Sequence, residues 1–195
     1  MSNKTILNAS KFSGLGNKIL LIDLIRQSCN INSASVKKIV EENQAEFDQL
    51  ISIEAPILPN LDFSARIFNK HGSQAENCIN GARCLAKYAI DTGLISKKNF
   101  LVGDQTKMWK IYTHKNEEYS VEIKLLDSEK GRELLPTQDE FGKHEFSISG
   151  SPLKVGYINL GNPHAVTFTT KIEQKPLPEW GEKIQNIECF PEGVN

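Results

Sequence analysis

Gly81-Ala-Arg-Cys-Leu-Ala-Lys-Tyr-Ala-Ile-Asp-Thr92 is the stretch from which the fold of this chain is read. Its apolar residues fall at Ala82, Leu85, Ala86, Ala89 and Ile90, the stripe of a helix that faces a core. Gly93 stands where a helix C-terminal glycine belongs. Nowhere else does a helical period stand out so clearly.

Working outward, the upstream segments read mostly as strands. Phe12–Asn17 is a glycine-containing loop, and Ile19–Leu24 after it is an apolar, buried strand. Ser33 or Ser35 is expected to cap a short helix that runs through Val40. Gln49–Glu54 and Ser64–Phe68 are strands, the second ending at the turn Asn69-Lys-His-Gly72. Downstream, Met108–Tyr112 and Tyr119–Leu125 read as a hairpin, with Tyr119, Val121, Ile123 and Leu125 alternating with polar residues. Leu153–Leu160 and Ala165–Thr169 are strands flanking the loop Gly161-Asn-Pro-His164. Asp127–His144 is polar and carries charge clusters, which marks a boundary or crossover. Many short strands with few helices predict an α+β fold, not a doubly wound parallel sheet. The expected division is 1–126, built on the helix 81–92, and 127–195.

Composition narrows the function classes. A length of 195 residues allows one large domain or two small ones. The formal net charge of −1 leaves no electrostatic footprint for nucleic acid or an anionic membrane. The longest apolar run, Ile19–Ile25, is broken by Asp23 and is too short to span a bilayer. The first ten residues lack the apolar core of a signal peptide. Cysteines at 29, 78, 84 and 189 form neither a disulfide framework nor a CxxC pair. Reduced thiols and a cytoplasmic location are expected.

The chemistry is concentrated at Cys78, just before the clear helix. Helix N-terminal amides and the positive end of the helix dipole favour its thiolate. The amides of Ile79 and Asn80 there are also placed to hold a carboxylate. The plain alternative is a small apolar residue that happens to precede a helix. Cys84 lies within the helix and is read as packing, while Cys29 and Cys189 have no motif around them and are read as packing or chance exposure. In the loop at 161–164, Asn162 has the donor and acceptor to meet a carboxylate and an ammonium group. His164 is a candidate for tuning a nearby thiol, the alternative being a turn shaped by Asn and Pro. Dinucleotide, P-loop, GxSxG, HExxH and zinc-ligand spacings are all missing, which discounts those alternatives and leaves no metal site expected.

Taken together, these segments resemble the amino-terminal part of diaminopimelate epimerase. The matching pieces are Phe12-Ser-Gly-Leu-Gly-Asn17, Phe47-Asp-Gln-Leu50, Arg66-Ile-Phe-Asn69, Cys78-Ile-Asn-Gly-Ala-Arg-Cys84, Asn159-Leu-Gly-Asn-Pro-His164 and Phe190-Pro-Glu-Gly-Val-Asn195. They stand in the family's order and cover nearly the whole chain after about residue 10. The resemblance implies two pseudo-symmetric halves, each with strands wrapped around a central helix, the second half incomplete here. It implies a cytoplasmic, cofactor-independent isomerase of lysine and peptidoglycan precursor biosynthesis that interconverts LL- and meso-diaminopimelate with two thiols on opposite faces. Cys78 would then be one acid/base thiol and His164 would tune the pair. The Ile79 and Asn80 amides would hold the carboxylate, and Asn17, Gln49, Asn69, Asn162 and Asn195 would bind the substrate's polar groups.

Three positions depart from the family pattern. Ile79 stands where the family has glycine, and its β-branched side chain restricts the backbone. His71 stands where the family commonly has aspartate. The family's second cysteine, with its glycine-rich segment, lies downstream of Asn195. The second half is therefore expected to be truncated, to lack its filling helix, and to favour a homodimer or other association through its uncovered strands. Two other readings stay open: a catalytically impaired remnant that binds an amino acid, and a hydrolase or transferase using Cys78 and His164.

Overall fold

The computed structural model describes residues 6–43, 46–75, 77–105, 107–123, 135–160, 163–190 and 193–195. The chain divides into two units, Met1–Lys124 and Leu125–Asn195. The predicted boundary at 126 lies outside the described residues.

Eight strands of the first unit form one sheet: β1 (Ser10–Gly14), β2 (Asn17–Asp23), β3 (Gln49–Glu54), β4 (Phe63–Asn69), β5 (Gln74–Ala75), β6 (Asn99–Gly103), β7 (Met108–Thr113) and β8 (Tyr119–Ile123). Their order is β1-β2-β3-β4-β6-β7-β8, with β5 pairing beside β4. Two helices, α1 (Ser33–Asn43) and α2 (Ile79–Asp91), complete the unit. The edge strands β1 and β8 both pack on α2, as do β2, β3 and β7, so the sheet curls around that helix. Small residues on α2 make this possible: Gly81, Ala82, Ala86 and Ala89 are buried and let strands approach the helix closely. Leu85 is the one large aliphatic among the helix's fully buried residues, and burying it contributes roughly 2 kcal/mol.

Successive side chains of a strand point to opposite faces, and β2 and β3 use both. Ile19, Leu21, Ile51 and Ile53 face α2. Leu20, Ile22 and Leu50 face a second apolar cluster that includes Val36 and Ile39 of α1. This explains why Ile19–Ile22 reads as continuously apolar rather than alternating. The sheet is mixed, with β2–β3 and β4–β6 parallel and the other pairs antiparallel.

Local readings are corrected in three places. Phe12–Asn17 is mostly strand, with only Leu15 and Gly16 in the turn at φ 51° and 91°, which is the primed turn that suits a tight hairpin. Asn32, not a serine, caps α1, its Oδ1 accepting from the Ser35 N–H at 3.0 Å. Helix α2 begins at Ile79, two residues before the predicted start.

The second unit holds an antiparallel sheet, β9 (His144–Ile148), β10 (Ser151–Asn159) and β11 (Pro163–Val166), in the order β11-β10-β9. Helix α3 (Leu177–Gln185) supplies Trp180 and Ile184 to its apolar cluster. Phe190 lies 5.8 Å from the ring of Phe146 and stacks on Tyr157 at 6.0 Å. The expectation that these strands leave their apolar faces uncovered is corrected: Ile184 and Trp180 of α3, with Cys189, Phe190 and Val194, pack in one cluster with Phe146, Ile148 and Val155.

Candidate active site

Four chain segments meet at one end of the first sheet. β2 and β3 run parallel and both begin there, with Asn17 and Gln49 as their first residues. The Lys18 N–H donates to Asp48 Oδ2 at 2.8 Å, which ties the two strand starts together. β4 runs antiparallel to β3 and ends there at Asn69, the register partner of Gln49. Helix α2 follows β4 after a short excursion, so its N-terminus lies at that end too. The glycine in β1 admits the helix: a Cβ on Gly14 would stand 2.9 Å from Cys84 Sγ and 3.0 Å from the Asn80 carbonyl oxygen.

Cys78 is the N-cap of α2, with extended backbone at φ −152° and ψ 96°. Its sulfur accepts from the Gly81 N–H at 3.2 Å. The Asn17 side chain and the Asn80 N–H act in the same direction, favouring the thiolate. A thiol capping a helix in this way is a candidate acid/base group. Burial nevertheless pushes the thiol above its ordinary range, outweighing the Gly81, Asn17 and Asn80 contributions that favour the thiolate. The helix start favours the thiolate, in the expected direction, but desolvation exceeds that contribution. The Ile79 side chain is exposed beside it.

Gln49 and Asn69 sit side by side, with Gln49 Nε2 donating to Asn69 Oδ1 at 3.3 Å. Asn69 Nδ2 donates to Ser73 Oγ at 3.0 Å. Gln49 Oε1 is buried with no hydrogen-bond partner, an arrangement that costs free energy unless a ligand supplies a donor. A cavity of about 270 Å³ opens beside the start of α2, lined by Phe12, Gly14, Asn80, Arg83, Lys87 and Tyr119 among others. Cys84 is buried in the main core and Cys29 packs on the second apolar cluster, as expected for packing residues.

In the second unit, His164 lies in β11, opposite Ile158. The Ala165 N–H donates to the Asn195 carbonyl at 2.8 Å and the Asn195 N–H to the Pro163 carbonyl at 3.0 Å. Asn195 thus joins β11 alongside His164. Asn162 lies outside the described residues. Cys189 is buried in this unit's core. Among the described residues no group of three or more His, Cys, Asp or Glu could hold a metal ion. No described helix is long and apolar enough to cross a membrane.

Comparison with known proteins gives a consistent answer. A family model of diaminopimelate epimerase matches residues 9–125. The diaminopimelate epimerase of Pseudomonas fluorescens (strain Pf0-1) is 31% identical over 196 residues, covering 97% of this chain and 69% of that protein. The one from Pseudomonas savastanoi pv. phaseolicola (strain 1448A / Race 6) is 32% identical over 193 residues, with the same coverage. Among solved structures, a methylitaconate-delta-isomerase matches with a TM-score of 0.53 at 10% identity, covering 94% of this chain and 58% of its own. A phenazine biosynthesis protein of the PhzF family from Enterococcus faecalis matches at 0.51 and 10%, covering 93% and 64%. At these identities the structures show a shared fold alone.

Proposed function

The chain belongs to the diaminopimelate epimerase family, a family of amino-acid isomerases, and we propose that Cys78 is one of the two thiols that invert the substrate's α-carbon. The observation that supports this reading is the cap of α2, where the half-buried Cys78 sulfur accepts from the Gly81 N–H at 3.2 Å at the start of the helix.

The chemical obstacle is a weakly acidic proton beside a carboxylate. One thiolate removes that proton, and a thiol on the opposite face delivers another to the carbanion, so the centre is inverted and each sulfur ends in the other's state. The negative charge that develops on the carboxylate is met by the helix N-terminus, whose Ile79 N–H is the first of its amides. Gln49 and Asn69 are placed to bind the substrate's polar groups, and the unpartnered Gln49 Oε1 suits its ammonium. The family resemblance assigns His164 to tuning the thiols and Asn162 and Asn195 to substrate binding. Cys84 shares the helix and core of Cys78, and Cys29 and Cys189 serve apolar clusters, so none of them fits the opposed position. The relatives extend beyond the matched length, and the opposed thiol is assigned to that remaining part.

The test is incubation of the chain with LL-diaminopimelate in deuterated water, following α-hydrogen exchange and formation of the meso isomer. A single thiol gives slow exchange without efficient inversion, and Cys78→Ala abolishes that exchange. Exchange that persists in Cys78→Ala would overturn the assignment. Binding without exchange would leave only an amino-acid-binding remnant.

A further inference from the structure

We infer that the turn between β6 and β7 is a clamp for the catalytic loop, with Lys107 and Trp109 as positioning residues for Cys78. The inference rests on the acid/base role proposed above for that thiol. β5 pairs with β4 at only two residues, Gln74 and Ala75, before the chain reaches Asn77 and Cys78. Two side chains from the other hairpin hold it. Lys107 Nζ donates to the Ala75 carbonyl at 3.2 Å, and Trp109 Nε1 donates to Asn77 Oδ1 at 2.8 Å. They therefore grip the chain three residues and one residue before the thiol.

Both grips are costly to build, which argues that they are specified. The Lys107 side chain is only 9% exposed, and a desolvated ammonium needs compensation. It finds Asp104 Oδ2 at 3.3 Å and the face of Trp109, 5.8 Å from the ring centroid. Trp109 is fully buried, so its indole N–H requires an acceptor, and Asn77 supplies one. The turn is made tight by Gly103, where a Cβ would stand 2.2 Å from the Lys107 carbonyl oxygen. The Asp104 side chain closes it by accepting from the Lys107 N–H at 3.1 Å. Cys78 keeps its hydrogen bond from the Gly81 N–H only while its extended cap geometry holds, and a misplacement of about 1 Å would break it.

The test uses the full chain and reads the thiol directly. The rate of iodoacetamide alkylation at Cys78 is measured by peptide mass analysis, with thermal melting as the check of folding. Lys107→Met and Trp109→Phe each remove one donor and are expected to speed alkylation about fivefold, the opening that follows from losing one hydrogen bond. Lys107→Arg keeps the donor and the charge and is expected to stay within about twofold of the original chain. Gly93→Ala, which strains the far end of the same helix, is expected to leave the rate similarly unchanged. Where a core variant fails to melt cooperatively, Asn77→Ala breaks the same contact from the loop side and is expected to give the same acceleration. Unchanged alkylation in the folded donor-deletion variants, or equal acceleration in Gly93→Ala, would overturn the clamp. Substrate exchange in Cys78→Ala separately tests the role of the thiol. A clamp that fails therefore leaves that role standing, and persistent exchange removes the role without touching the clamp.

Discussion

Gly81→Ala puts the packing of the α2 start to a quantitative test. In an open helix the change would stabilise, since alanine is favoured over glycine by about 1 kcal/mol. Here the new methyl would stand 2.5 Å from Ile51 Cδ1 and 3.1 Å from Cys78 Sγ. Carbon atoms pack at about 3.5–4.0 Å, so Ile51 Cδ1 must retreat by about 1 Å. Ile51 is fully buried, and forcing an extra methyl into such a core costs about 1–3 kcal/mol. The net expectation is a loss of about 0–2 kcal/mol, centred near 1. The sharper measurement is a double-mutant cycle with Ile51→Val, which deletes the offending Cδ1. Alone, Ile51→Val costs about 0.5–1.5 kcal/mol. In the Gly81→Ala background it is expected to be neutral or stabilising, a coupling of about 1 kcal/mol or more by urea denaturation. Additivity within about 0.5 kcal/mol would refute the contact and with it the close seating of β3 on the helix start.

Three further predictions concern caps, turns and acid. Asn32→Ala is expected to cost about 1 kcal/mol by removing the α1 cap, whereas Ser33→Ala changes stability by less than about 0.5 kcal/mol, both from denaturant midpoints. Gly93 sits at φ 66° after α2, so Gly93→Ala is expected to cost about 1 kcal/mol and Gly93→Asn less, by thermal melting. Asp139 accepts from Lys154 at 2.8 Å and from the Lys143 and Phe141 N–H groups, which lowers its pKa to about 2 from an ordinary 3.8. A depressed carboxylate stabilises fully above its unfolded pKa and loses that contribution as pH falls through the folded one. The melting temperature of the second unit should therefore drop between about pH 4 and pH 2, and Asp139→Asn should flatten that part of the profile.

The parts of the fold that were legible are those whose cause is local. Helix α2 shows in its period, β8 in its alternation, and Gly93 in the ending of the helix. Other elements exist because of partners far along the chain. β6 offers only Phe100 and Val102 as core residues between a lysine pair and Asp104, and its strand form rests on pairing with β7 and β4. α3 carries Gly181, a poor helix former, in its interior, and Trp180 and Ile184 hold it by packing. The strand at Phe12–Gly14 is hidden by two glycines, one of which serves the turn while the other makes room for Cys84 and Asn80.

The site divides along the same line. Cys78 as an N-cap is a local fact, and its neighbours in sequence, Asn80 and Gly81, supply two of the groups that favour its thiolate. The third, Asn17, is visible in the sequence only through the family resemblance, because a hairpin and a curled sheet bring it toward the sulfur. The sign of the Cys78 shift was illegible for a physical reason: donors can be counted from adjacent residues, but desolvation depends on everything that covers them. The same holds for Gln49, whose side chain looks ordinary in sequence. It becomes informative only when the register with Asn69 satisfies its nitrogen and leaves its oxygen buried and unpaired. Trp109 and Asn77 are 32 residues apart and share no motif, so their hydrogen bond follows from the sheet order alone. Residues that do chemistry thus announce themselves near the helix start, while residues that hold them in place do so only once the strands are paired.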